Sequence, residues 1–156
     1  MLHRGRRDAR RARGTAAADL GALPFPAARF AVVWCRLAAG HLPRLAPLYR
    51  ELARVLLPDG RAVVTDFHPE AIRAGHRRIF RDAGGRSREV MHVVHESAAH
   101  EREAAGAGLA FEARLEYGIG GEVRPFWERA GAIDRFTRDR GSPLLVAFRF
   151  RKGSPR

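Results

Sequence analysis

Two short runs of consecutive apolar residues frame the middle of this chain, Phe30-Ala31-Val32-Val33-Trp34-Cys35 and Ala62-Val63-Val64-Thr65. Unbroken apolar character rich in β-branched and aromatic side chains predicts strands buried on both faces, the habit of a parallel sheet. Between them the period changes. Leu45, Leu48, Leu52 and Val55 recur at three- and four-residue spacing, with Arg50, Glu51 and Arg54 on the other side, which predicts an amphipathic helix. Pro47 fits within its first turn, Pro58 ends it, and Asp59-Gly60 supplies a turn in which positive φ is tolerated. A strand, helix and second strand with short links form a βαβ unit, right-handed and parallel almost without exception.

Outside this unit the pattern is coarser. Met1 to Arg13 is built of Ala, Arg and Leu with almost no apolar face, which predicts a solvated basic helix ended by Gly14. Thr15 to Ala18 suits a short strand, and Pro24 and Pro26 mark a loop. Pro69 to Phe80 and Ser97 to Gly106 read as helices. Leu109, Phe111, Ala113 and Leu115 alternate with Glu112, Arg114 and Glu116, the signature of a half-buried strand. Val123 to Arg140 reads as helical, and Leu144 to Phe150 as a last strand with Arg149 and Arg151 outward.

Composition bounds the rest. A chain of 156 residues with 46% apolar content is enough for one domain with a real core and too small for two. No apolar run approaches the roughly 20 residues that cross a bilayer. The net charge of +12 invites a nucleic-acid reading, yet Lys152 is the only lysine, so the excess is nearly all arginine. Together with abundant Ala and Gly this is a compositional bias rather than a phosphate-binding design, and no aromatic-basic stacking pattern accompanies it. Cys35 is the only cysteine, so no internal disulfide forms and a reducing, cytoplasmic setting is expected. The arginine-rich start is followed by no apolar segment of the kind a secretory signal needs.

Asp19-Leu20-Gly21-Ala22-Leu23-Pro24-Phe25, then the Phe30–Cys35 run, the helix closing at Leu56-Leu57-Pro58-Asp59-Gly60, and Arg61 to Phe67 follow one another in an order that resembles the class I S-adenosylmethionine-dependent methyltransferases, the type-11 group in particular. The resemblance implies an α/β, incomplete Rossmann-like methyltransferase fold, mostly parallel with an antiparallel last strand, in the sheet order 3-2-1-4-5-7-6. It spans about residues 1–150: a basic helix (1–14), a cofactor-side βαβ region (15–68) and a C-terminal part (69–150), with 151–156 as a basic tail. It also implies S-adenosyl-L-methionine as cofactor and a small-molecule methyl acceptor. Asp19 and Leu20 fall where the family meets the adenine ring, and Cys35, Arg36 and Leu37 where it lines the methionine end. His41 falls on a family histidine ahead of the helix, a candidate general base whose reference pKa lies near neutrality. His68 and Trp127 are candidates for the acceptor side.

The chain departs from the family pattern at Ala31, where an acidic residue is usual, and at Pro58-Asp59-Gly60, where Pro-Gly-Gly is usual. The family's first strand, glycine-rich loop and ribose-binding acid have no counterpart, so the chain reads as starting mid-domain. The expected consequences are weakened cofactor binding and an edge strand exposing Val32, Val33 and Trp34, open to self-association. On residues alone, Asp19 fits a turn-capping aspartate, Cys35 a small buried apolar residue, and His41 and His68 structural histidines. His92, His95 and His100 lack a regular ligand spacing, so no metal site is expected. A competing reading is a non-enzymatic, arginine-rich binding or regulatory module.

Overall fold

The computed structural model of the chain describes residue 14 and residues 16–154. The expected basic helix thus lies, but for Gly14, outside the described residues. Ala16 to Ala18 form no strand, contrary to expectation. The chain turns instead at Asp19, whose Oδ1 accepts the Gly21 N–H at 2.7 Å and whose carbonyl accepts the Ala22 N–H at 3.1 Å. An aspartate that bonds its own backbone two residues on favours a turn over an extended segment.

The expected βαβ unit follows: β1 (Phe30–Arg36), α1 (Ala46–Val55) and β2 (Leu56–Phe67). The two strands pair in parallel, Cys35 beside Val64 and Arg36 beside Thr65. The Pro58-Asp59-Gly60 turn lies inside β2 as an irregularity, where the pairing slips from Phe30↔Leu56 to Val32↔Arg61. Asp59 takes a φ of 60° there. A Cβ on Gly60 would lie 3.0 Å from the Ala31 carbonyl oxygen, so this close crossing needs glycine.

Four strands make the main sheet in the order β1-β2-β6-β5, with β5 at Leu109–Gly118 and β6 at Pro143–Lys152. The last strand, β6, is antiparallel to both β2 and β5 and sits between them, so the other three strands run the same way. β6 continues through Arg151 and Lys152, residues expected in the tail.

Several expected elements are shorter. The helix expected over 69–80 is α2 (Pro69–Arg73), ended where Gly75 takes a φ of 82°, and the hairpin β3 (Ile79–Arg81) and β4 (Ser87–Glu89) replaces its second half. α3 covers Ser97–Gly106 as expected. The single helix expected over 123–140 is two, α4 (Arg124–Arg129) and α5 (Ile133–Asp139), broken at Gly131 with a φ of 64°. Left-handed φ comes at little cost to glycine and stops a helix.

The core lies on one side of the sheet. Leu48, Tyr49 and Leu52 of α1 and Ala104 of α3 are buried against Val64, Phe148 and Phe150. β2 alternates rather than hiding both faces: Ala62, Val64 and Asp66 are buried, while Val63, Thr65 and Phe67 are only partly so. Strand β5 changes sides at a bulge, where Phe111 faces Phe150 and Ala113 already faces Arg149. The extra residue, Glu112, meets Arg61, Arg149 and Arg151. Ala113, Leu115 and Tyr117 therefore turn to the opposite face, where with Trp34, Val63 and Ala147 they line an open apolar hollow of about 450 Å³. β1 is the sheet edge, as expected, with Val32 and Trp34 62% and 61% exposed and Val33 half-buried.

Candidate active site

The parallel register of β1 and β2 brings their carboxyl ends together, the place where open parallel sheets bind ligands. Immediately past β1, Leu37 is held at a φ of 51° while its N–H donates to the Thr65 carbonyl at 2.9 Å. A leucine in the left-handed region is strained, a feature that clusters at functional turns. A single helical turn, Ala39–His41, follows, with Ala39 and Gly40 buried and His41 exposed on the rim.

The Asp19–Phe25 loop is fastened to α1 by the residues read from sequence as its polar face. Glu51 accepts the Leu23 N–H at 2.7 Å, and the Arg54 guanidinium donates to the Phe25 and Leu23 carbonyls at 2.8 and 3.0 Å. Glu51 and Arg54 also pair at 2.7 Å, and that bond holds the Glu51 carboxyl down at about 2. Their job was missed because charge at helical spacing looks alike whether it meets water or a loop.

Fastened this way, the loop and β1 enclose an apolar groove of about 330 Å³ lined by Leu20, Leu23, Phe25, Trp34, Cys35 and Leu48. Leu20 and Cys35 thus line the same groove, and Asp19, next to Leu20 in the chain, is not part of the lining. The slot offers an apolar contact for a flat ring, while the Asp19 carboxylate is engaged in its own turn with the Gly21 N–H. Cys35 is buried, and burial pushes its thiol up to about 11, so it serves as a packed neutral group and not a nucleophile. Arg36 is exposed, its guanidinium 5.8 Å from the Trp34 ring centre.

A polar cluster lies just beneath the rim. Asp66, the penultimate residue of β2, is 2% exposed and accepts the Phe67 N–H on Oδ1 at 2.9 Å. His92 Nε2 stands 3.9 Å from Asp66 Oδ1 and His100 Nε2 3.9 Å from Oδ2. His100 Nδ1 bonds the Tyr49 hydroxyl at 2.8 Å, its ring stacks on Phe148 at 4.8 Å, and its Nε2 has no hydrogen-bond partner among the described residues. Burial pushes the Asp66 carboxyl up and the His100 imidazole down to about 4. Sequence spacing hid this grouping, because Asp66, His92 and His100 come from three separate segments. No group of three or more His, Cys, Asp or Glu able to hold a metal ion occurs among the described residues.

The remaining candidates stand apart. His68 caps α2, its Nδ1 accepting the Glu70 N–H at 3.2 Å, and its Nε2 lies 3.7 Å from Glu116. Both ring nitrogens thus have structural partners. Trp127 packs edge-on to His76 at 5.6 Å and beneath Arg135.

Known proteins share parts of this sequence and its fold. Residues 1–64 match a family model described as a methyltransferase domain. The 27-O-demethylrifamycin SV methyltransferase of Amycolatopsis mediterranei (strain S699) is 36% identical over 139 residues, 85% of this chain and 48% of that enzyme. The chain therefore spans about half the length of that curated relative. Among solved structures, an S-adenosylmethionine-dependent methyltransferase from Mesorhizobium loti matches 86% of this chain and 68% of its own, with a TM-score of 0.57 at 20% identity. A geranyl diphosphate methyltransferase solved with S-adenosylmethionine matches 86% and 56%, with a TM-score of 0.59 at 16% identity. The fold is the Rossmann-like one of these enzymes, with the reversed strand inserted where the resemblance implied. The chain thus has the fold of S-adenosylmethionine-dependent methyltransferases, and its residues 1–64 match the methyltransferase domain model.

Proposed function

We propose that this chain forms the cofactor-side and acceptor-side rim of an enzyme that moves the methyl group of S-adenosylmethionine to a small molecule. When bound, the cofactor supplies an electrophilic methyl on a sulfonium. Asp19 and Leu20 would hold the adenine, and the turn through Cys35, Arg36 and Leu37 would run along the methionine portion. His41 stands exposed on the rim and would be the first side chain to meet the acceptor. Proximity and orientation carry most of such a transfer. Among the described residues no strand pairs with the outer edge of β1, and we include a second copy of the chain as a partner that pairs with it.

The observation that carries this reading is the shared groove: Leu20 and Cys35, fifteen positions apart, both line it, and Asp19 precedes Leu20 in the same loop. Isothermal titration with S-adenosylhomocysteine tests it. The expected result is weak, saturable binding that falls at least tenfold in Asp19→Ala. Binding that is absent, or equal in both proteins, overturns it. The first acceptor to try with S-adenosylmethionine is 27-O-demethylrifamycin SV, from the 36% identical relative.

A further inference from the structure

We infer that Asp66 and His92 form a carboxylate–imidazole dyad in which His92 Nδ1 takes the proton of a hydroxyl acceptor, with Tyr49 and His100 as positioning residues behind it. This rests on the methyl-transfer reading and extends it to an acceptor class and a base that sequence reasoning did not assign.

The two nitrogens of His92 have different neighbours. Nδ1 lies 3.4 Å from an Arg78 guanidinium nitrogen, which only donates, so Nδ1 is the lone-pair side. The ring proton then sits on Nε2, the nitrogen that faces Asp66 Oδ1. A carboxylate behind the protonated nitrogen and a lone pair in front, here directed at Arg78, is the arrangement that makes imidazole a general base. The 3.9 Å gap to Asp66 fits a resting site, since such bonds are often long before substrate binds.

The surroundings fix that orientation. A Cβ on Gly40 would collide with the His92 ring, so glycine in the rim turn is what lets the imidazole lie flat beneath it. The Val93 N–H donates to the Gly40 carbonyl at 2.8 Å, and His95 Nε2 bonds the Leu42 carbonyl at 2.9 Å, tying the segment to the turn. Asp66 is steadied from the far side. Tyr49 holds His100 by Nδ1, which aims the unpartnered Nε2 at the second carboxylate oxygen. The charged and titratable groups around His92 are Asp66, Arg78, His41 and His95.

The proton balance is simple. The acceptor O–H bond breaks, its proton goes to His92 Nδ1, and the freed oxygen electron pair forms the bond to the methyl carbon. The imidazolium is neutralised by Asp66. Arg78 occupies the hydroxyl's place in this structure, and its cation would favour an acceptor oxygen that carries growing negative charge. The imidazolium then returns its proton to water; His41 lies edge-on to it at 6.4 Å between ring centres.

The test is nitrogen-15 NMR of the histidine side chains in this chain, with signals assigned through His92→Gln and His100→Gln. His92 and His100 are expected in the Nε2–H tautomer. Asp66→Asn should lower the proton affinity of His92 by tenfold or more, one unit on its titration. Tyr49→Phe, the milder variant if Asp66→Asn does not fold, should give His100 mixed tautomers and move His92 less. Phenol at millimolar concentration should shift the His92 Nδ1 signal and benzylamine should not. A Nδ1–H tautomer at His92, an unchanged titration in Asp66→Asn, or in Tyr49→Phe should that variant stand in for it, a response to benzylamine alone, or no response to either probe overturns the proposal. These signals do not need bound cofactor, so failure of S-adenosylhomocysteine to bind would sink the methyl-transfer reading separately.

Discussion

On one face of the sheet Val64, Val146, Phe148 and Phe150 disappear beneath α1 and α3, while on the other Trp34, Leu115 and Tyr117 surround an open hollow. Both sets come from the same sheet, and both are apolar. The packed face shows what alternation secures: each buried side chain meets a helix whose own apolar stripe was built at matching spacing. The open face shows that apolar character records a need for cover without naming the cover. The largest expected effect breaks the packed side. Phe150→Ala removes a ring wedged against Tyr49, at 5.5 Å between ring centres, and should cost about 3–5 kcal/mol in denaturant unfolding. Leu115→Ser, across the sheet, should change the same measurement by less than about 0.5 kcal/mol.

Acid sharpens the comparison, because the packed face also holds buried ionisable groups. His100 is neutral when folded, with a pKa of about 4 against 6.5 for an ordinary histidine. The unfolded chain therefore binds its proton first, and stability should fall as the pH drops from about 6.5 towards about 4, by on the order of 3 kcal/mol. Asp66 has the opposite sign: its raised folded pKa favours the native state at low pH, and that contribution is lost as pH rises through the folded value. The two partly offset each other in the wild type. Asp66→Asn removes the compensating term, so its stability should fall more steeply between pH 6.5 and 4. Parallel slopes would mean that the two groups do not share one environment.

The βαβ unit was legible because its signals are local: two apolar runs, one helical stripe and turn residues between them. Its sequence order also led to the family, and so to the reversed last strand that periodicity alone does not give. The C-terminal half was less legible where single residues decide. Gly75 and Gly131 cut helices that composition alone extends, and the bulge at Glu112 moved Leu115 to the other face. The site divides similarly. Asp19, Leu20 and Cys35 were proposed through their place in the motif order, and Leu20 and Cys35 line one groove. Gly40, Asp66, His92 and His100 form a group only after folding, and no spacing along the chain announces it.

The loop that carries Asp19 offers a smaller effect. Glu51→Gln keeps the size of the side chain but removes the charge that pairs with Arg54 and accepts the Leu23 N–H. The loop should loosen at its anchored end, and binding of S-adenosylhomocysteine should weaken by several-fold. The Glu51 carboxyl is held at about 2, so the ion pair persists through the mildly acid range and its contribution is lost only as pH falls towards that value. Weakening in Glu51→Gln at pH 7 with no change in the wild type down to pH 4 would identify the staple. Equal binding in the two proteins would show that the groove forms without it.

The smallest effect on the monomer tests what the open side is for. Val32 and Trp34 lie on β1, an edge strand among the described residues, and Trp34 also reaches the hollow, so edge and face form one continuous apolar surface. An edge strand with unpaired backbone groups templates another strand, and charge placed on it is the usual deterrent. Val32→Lys should leave unfolding within about 0.5 kcal/mol, since the side chain already faces water. In light scattering the wild type should gain mass with concentration, and Val32→Lys should stay monomeric. The chain carries a net charge of +12, so added salt should strengthen the wild-type association by screening repulsion between copies. A wild type that stays monomeric at every concentration and salt level would mean that these side chains meet only solvent. The contrast between the faces would then mark where burial ends rather than where a second copy docks.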